Sequence, residues 1–468
     1  MKSKDMTVGN PFKIILLFSI PLVLSATLQQ LYNLADNFIA GHFISNLDSF
    51  NAVGIVYPIT VVFLDIAVGF GVGCGVVAAR FFGAKDTKNL KKTATVGLIS
   101  TIALALMVTI VGLAIIYPLL NGMVGKVKSP GCFDEALSYM LIYIGGVIFL
   151  FLYNYSMYMF QAFGNSRTPL YFLIFSTLLN VALDLLFVMP IKMASAGLAL
   201  GTVISEAIAG ILSVVVLFKS IEKLDSKKYK KFDKTILKSI IGIAAPSILQ
   251  GCFISIGGVL ITAILTSIGG NSVAGGYSAA YKICYIAINI FTVLCNALSS
   301  FISQNVGAQK YDRIMKGYYS TLIISAIFCA IAMVVILPFR EFWVNIFLND
   351  DAEGDVETIV NAGKLFILCV VPFFVLMVVK IPLDGILKGS TDMLGFTLGT
   401  SVDLICRVVA ALVFGKLFGY EGIFFAWPIG WAVGTIISIT MFFTCRWKKK
   451  CGYTLEREKE SSEEIVGE

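Results

Sequence analysis

The chain is 468 residues long, 57% hydrophobic and only 14% charged, and its apolar runs repeatedly exceed the roughly 18 to 20 residues that cross a bilayer. That excludes a soluble globular protein. A formal net charge of +7 would suit nucleic acid, but the basic residues sit in short segments between apolar runs, which is a topology signal. Of ten cysteines, Cys74, Cys252, Cys284, Cys295, Cys329, Cys369 and Cys406 lie inside apolar runs, and no CxxC occurs. Neither a disulfide framework nor a metal site is read.

Twelve apolar spans follow in order, at about 14–38, 52–79, 94–119, 136–162, 170–189, 197–218, 239–266, 275–303, 318–338, 363–386, 394–415 and 423–445. The fold class is therefore an all-α polytopic membrane protein of twelve transmembrane helices. The first span has a basic start, like a signal peptide, but it is too long and is echoed later in the chain. Pro21, Pro246 and Pro372 are kink sites, because proline removes a helix hydrogen bond and crowds the preceding turn. In the second span Gly69, Gly71, Gly73 and Gly75 superficially look like a phosphate loop, yet no strand precedes them; small-residue helix packing is the reading.

The fourth span is rich in Tyr153, Asn154, Tyr155, Met157, Tyr158, Met159, Phe160 and Gln161. Such an adaptable surface suits a promiscuous pocket, with Tyr153 and Met157 as substrate contacts; aromatics also gather at membrane interfaces. The fifth span holds Asn180 and Asp184, one turn apart on one helix face. An ionisable residue in a membrane helix is a functional-site hypothesis by default. The sixth adds Thr202 and Glu206, the latter an acid that can join the site or line a cleft. In the eighth, Lys282 either lines that cleft or snorkels. Asp384 has Lys380 one turn away, and Asp403 has Arg407, so these acids are read as local ion pairs.

Lysine and arginine counting puts residues 2–13, the second connection, the central linker and the tail from 446 on one side, which should be the cytoplasm. Both termini are then inside and the chain belongs in the cytoplasmic (inner) membrane. The last dozen residues of the tail read as disordered. An echo at about 225 residues pairs the surroundings of Pro21 with those of Pro246, and AARFFGAKDTKNLKKT with ISQNVGAQKYDRIMKG. The chain therefore divides into a first six-helix bundle at 1–218, a basic linker at 219–238, a second bundle at 239–445 and a tail at 446–468. Six helices per half make the halves parallel, related by a pseudo-two-fold axis along the membrane normal.

At about 1.5 Å per residue, Asp184 lies roughly 20 Å from the cytoplasmic edge and Thr202 roughly 8 Å below the outer surface. Asp36 reaches the same depth at the outer end of the first span, with Tyr32 one turn deeper. Asp36, Asn180, Asp184 and Thr202 thus converge in one half. Such oxygens can hold a small hard cation, Na⁺ included, or take up a proton; hydrogen bonding from helix to helix is the plainer alternative. No nucleophile with a base, no Walker loop and no paired metal ligands stand out, so no enzyme and no cofactor is read.

With these residues in place, the chain resembles the multidrug and toxic compound extrusion (MATE) family over about residues 11–445. The resemblance is carried by IPLVLSATLQQLYNLADNFIAG around Pro21 and Asp36, NAVGIVYPI from Asn51, the Gly83-Ala84 and Gly307-Ala308 turns, GNSRTP from Gly164 and NVALDLLF from Asn180. It implies a twelve-helix antiporter with a cleft between two bundles, exporting organic, often cationic, compounds against inward H⁺ or Na⁺ flow. It also implies an ion site at Tyr32, Asp36, Asn180, Asp184 and Thr202. The chain departs from the family at His42, where an arginine-like residue is common, and at Asp384 and Asp403, whose basic neighbours match poorly the branch with a second-half cation site. Small organic substrates and membrane lipid are the expected partners, without nucleic acid or an obligate protein. A lipid-linked oligosaccharide flippase of the same broad superfamily is the alternative, sustained by Lys282, Lys380 and Arg407.

Overall fold

The computed structural model describes residues 4–44, 46–224, 232–346 and 355–452, excluding the side chains of residues 32–38. Thirteen α-helices and no strand occur among the described residues. They are α1 (Pro11–Phe43), α2 (Leu47–Gly83), α3 (Thr87–Met123), α4 (Pro130–Ala162), α5 (Arg167–Val188), α6 (Ala194–Glu222), α7 (Lys234–Gly307), α8 (Asp312–Ile336), α9 (Arg340–Ile346), α10 (Val356–Val370), α11 (Phe374–Gly389), α12 (Met393–Phe443) and α13 (Arg446–Cys451).

Two of these helices are each a pair of arms. α7 leaves helical geometry at Gly270 (φ 75°) and α12 at Gly419 (φ 67°), a backbone region that only glycine enters without strain. Helices α10 and α11 are one span interrupted by a 3₁₀ turn, Val371–Phe373, at Pro372, as proline's missing donor requires. Counted this way, the apolar arms match the twelve spans read from sequence. α1 and α7 remain helical through Pro21 and Pro246.

The chain forms two compact units, Met1–Asp5 with Ile20–Gly251, and Met6–Ser19 with Cys252–Glu468. The division falls inside two helices and not in the linker at 219–238. The first part of α1 packs with the second unit and the rest with the first; α7 does the reverse. A linker shows up as composition, but the neighbour a helix packs against is set by its side-chain surface along its length, so the exchange leaves no mark in composition.

In the first unit α4 is central, packing on α2, α3 and α6. The glycine stripe of α2 makes this close approach possible. A Cβ at Gly71 would meet Tyr158 of α4 at 2.7 Å, and one at Gly73 would meet Ala244 of α7 at 2.8 Å. Alternate glycines thus serve two neighbours, the packing role expected of them. Tyr155, wholly buried, ties α4 to α3 by donating to the Ala94 carbonyl at 2.6 Å.

Candidate cation site

The buried stripe of α5 is Pro169, Leu173, Asn180, Asp184 and Val188. Tyr171, Phe175, Leu178 and Leu186 are exposed. The polar pair therefore faces the bundle and the apolar side chains face outward, which is how a membrane helix carries an acid. Asn180 and Asp184 are both 0% exposed and Thr202, on α6, is 6% exposed. Asn180 Nδ2 donates to Asp184 Oδ1 at 3.3 Å and makes a long contact of 3.5 Å with Thr202 Oγ1.

Three of the five expected ion-site residues are thus brought together. With both amide contacts made through nitrogen, Asn180 Oδ1 is buried and accepts no hydrogen bond among the described residues. An orphaned amide oxygen costs free energy unless something occupies it. One turn earlier on the same face, Thr177 Oγ1 is likewise buried without a hydrogen bond among the described residues. Sequence reading passed over Thr177, although its place three residues before Asn180 is the available signal.

The acid fits against α6 because residue 201 is glycine: a Cβ there would run into Asp184 Oδ1. The side chains of Tyr32 and Asp36 lie outside the described residues. Their helix is nevertheless beside the site. Ile39 and Ala40 of α1, three and four residues past Asp36, pack in one cluster with Val188 of α5 and Leu198 of α6. Arg167 at the start of α5 and Lys219 near the end of α6 are the only basic residues of those two helices, and both are several turns from Asp184. Oxygen donors from a carboxylate, an amide and a hydroxyl suit a small hard cation, and a buried carboxyl suits proton uptake.

The second unit treats its acids differently. Lys380 Nζ lies 2.6 Å from Asp384 Oδ2, and Ser438 donates to the other carboxylate oxygen at 2.7 Å. Arg407 bonds Asp403 at 2.7 Å and stacks 4.2 Å over the Trp427 ring. Both expected i, i+4 pairs are formed and buried. A lysine that sequence reading missed, Lys388, is also buried and donates to Asn296 Oδ1 at 2.7 Å.

The expected substrate contacts divide between the units. Glu206 of α6 lies within electrostatic reach of Tyr143 and Tyr153 of α4, while Lys282 belongs to the other unit. Tyr153, Met157 and Glu206 are half-buried, and Lys282 is exposed. The remaining aromatics of the run, Tyr155, Tyr158 and Phe160, are core. Tyr143 was overlooked in the sequence; it stacks on Tyr139 one turn away, with ring centroids 6.2 Å apart.

The MatE family profile matches this chain twice, over residues 21–186 and 246–413, reproducing the repeat. A probable multidrug resistance protein, YoeA, of Bacillus subtilis is 24% identical over 93% of this chain and 94% of its own length. The multidrug export protein MepA of Staphylococcus haemolyticus is 22% identical over 93% and 94%. Among solved structures, an outward-facing conformation of a multidrug resistance MATE family transporter of the MOP superfamily superposes with a TM-score of 0.88. It covers 96% of this chain and 99% of that one, at 22% identity. With two matches that together span most of its length, the chain belongs to the MatE family of multi-pass membrane transporters and is no enzyme.

Proposed function

We propose that the protein is a secondary active exporter of organic, often cationic, compounds, driven by H⁺ or Na⁺ entering in exchange and working by alternating access. The coupling ion occupies the first unit at Asn180, Asp184 and Thr202, with Asp36 and Tyr32 completing the site from α1. The observation that carries this reading is the contrast between the units. Asn180 Oδ1 of the first unit is buried and accepts no hydrogen bond among the described residues, whereas the buried carboxylates of Asp384 and Asp403 in the second are ion-paired with Lys380 and Arg407. Ion arrival lowers affinity for the exported molecule by changing the packing of α1, so substrate leaves as the ion binds. Glu206 with Tyr153 and Met157 offers an acid among aromatic and thioether surfaces, which suits a lipophilic cation.

The distribution of basic segments supports a topology with both termini in the cytoplasm and the protein in the cytoplasmic membrane. The flippase alternative needs free cations for a pyrophosphate; Lys380 and Arg407 are committed to carboxylates, which weighs against it. The test is ethidium efflux from proteoliposomes under an imposed Na⁺ or pH gradient, with Asp184→Asn alongside the native protein. Efflux driven by one gradient and lost in the variant is expected. Equal efflux by the variant would overturn the site, and none by folded native protein under either gradient would overturn the exporter reading.

A further inference from the structure

The segment ahead of α1 is gripped more firmly than a surface segment needs. Met6 and Thr7 are buried. Gln304 Oε1 accepts from the Met6 N–H at 2.9 Å, and Asn305 Nδ2 donates to the Met6 carbonyl at 3.4 Å. Arg313 donates to the Met6 carbonyl at 3.2 Å and to the Gly9 carbonyl at 2.8 Å, and Lys310 donates to the Thr7 carbonyl at 3.0 Å. Arg313 is itself held, by donating through Nε to Asn305 Oδ1 at 2.9 Å and by lying 5.6 Å from the Phe301 ring centroid. Gln304 and Asn305 are 0% exposed. Five polar bonds from four side chains therefore converge on the backbone of residues 6–9. Two residues upstream, the Lys4 N–H donates to the Phe163 carbonyl at 3.2 Å.

What this hold fixes is the base of α1. The first part of α1, to Ser19, belongs to the second unit, and from Ile20 it belongs to the first, where its far end packs beside the candidate ion site through Ile39 and Ala40. One helix of 33 residues, about 50 Å long, is thus anchored in one unit and ends at the ion site of the other. α7 makes the reverse crossing at Gly251 and Cys252. Among the described residues its start is held by a partly exposed ion pair, Lys92 to Asp233 at 3.1 Å. The two anchors are unequal, and the strong one belongs to the helix that carries Asp36.

We propose that Gln304, Asn305 and Arg313 are positioning residues for coupled transport. They pin the base of α1, so that rearrangement at its far end on ion binding acts on the second unit instead of being lost as the helix slides. This inference rests on the ion-site reading of the first unit.

The test uses the full chain in proteoliposomes. Gln304→Leu removes the Met6 acceptor at similar volume, and Gln304→Glu keeps it. A third variant, with two glycines inserted between Gly9 and Asn10, leaves every bond of the clamp and the Asn10 cap of α1 in place and slackens the tether. Ion affinity is read from the shift in thermal unfolding on titrating Na⁺ or H⁺, and coupling from gradient-driven ethidium efflux, with Asp184→Asn as the control. Gln304→Leu and the glycine insertion should keep native ion affinity and lose efflux by roughly tenfold. Gln304→Glu should restore it. Native efflux in the glycine insertion, with Asp184→Asn inactive, would overturn the pinning role and leave the ion site standing. Loss of ion affinity together with efflux in Gln304→Leu, unrescued by Glu, would reduce the clamp to a structural one. Native efflux in Asp184→Asn would instead remove the ion-site reading, and this proposal with it.

Discussion

Gly201 of α6 and Asp184 of α5 touch with no space for a side chain between them, so that any Cβ at 201 collides with the Asp184 carboxylate. A Cβ there would push the Asp184 carboxylate, whose Oδ1 accepts from Asn180, out of its present position. Gly201→Ala should therefore cost about 1–3 kcal/mol by overpacking and abolish ion-driven efflux, with Gly201→Val more severe. Efflux and thermal unfolding measured on the same preparation check this; a stable Gly201→Ala protein with native ion dependence would contradict the placement.

Asn180 supplies a neutral oxygen. Asn180→Leu removes the orphaned acceptor and also the donor to the buried Asp184 carboxylate, so it should cost about 1–3 kcal/mol and should raise the ion concentration for half-maximal efflux by roughly tenfold. An unchanged ion dependence would exclude Asn180 Oδ1 as a ligand.

The buried pair in the second unit should behave as a structural unit. Arg407→Met alone leaves the Asp403 carboxylate buried against Gly430, and should destabilise by about 3–5 kcal/mol. Asp403→Leu combined with Arg407→Met should recover most of that. A double-mutant cycle by thermal unfolding in detergent gives the coupling; additive losses would mean the two side chains act separately.

The Lys92 ammonium bonds the Asp233 carboxylate and, together with the Thr235 N–H of the first turn of α7, holds its pKa below the usual 3.8. A carboxyl with a depressed folded pKa contributes stability that is present above its unfolded value and is lost as pH falls through the folded one. Asp233→Asn keeps a helix-capping side chain but removes the charge. Its deficit in melting temperature should be constant from pH 8 to about pH 5, shrink below the unfolded pKa and vanish only below the folded one. A deficit that persists undiminished at pH 2 would assign the effect to the cap and not to Lys92.

The sequence by itself determined the spans, the repeat and the two local ion pairs. Each depends on neighbours along one helix: apolar runs long enough for a bilayer, and residues four apart that must share a face, as Lys380 with Asp384 and Asp403 with Arg407 do. It also brought Asn180 and Asp184 together, and counting rise per residue put Thr202 at their level. Tertiary structure decided what lies between helices. Which face of α6 meets Asp184, and so why residue 201 must be glycine, depends on the rotation of one rod against another. The roles of Ser438 toward Asp384 and of Trp427 toward Arg407 do too. The exchange of α1 and α7 between the units, and the grip of Gln304 and Arg313 on residues 6–9 nearly three hundred positions away in the chain, arise from packing that closes long loops. Helical period carries information over a turn or two, and such contacts lie far beyond its reach.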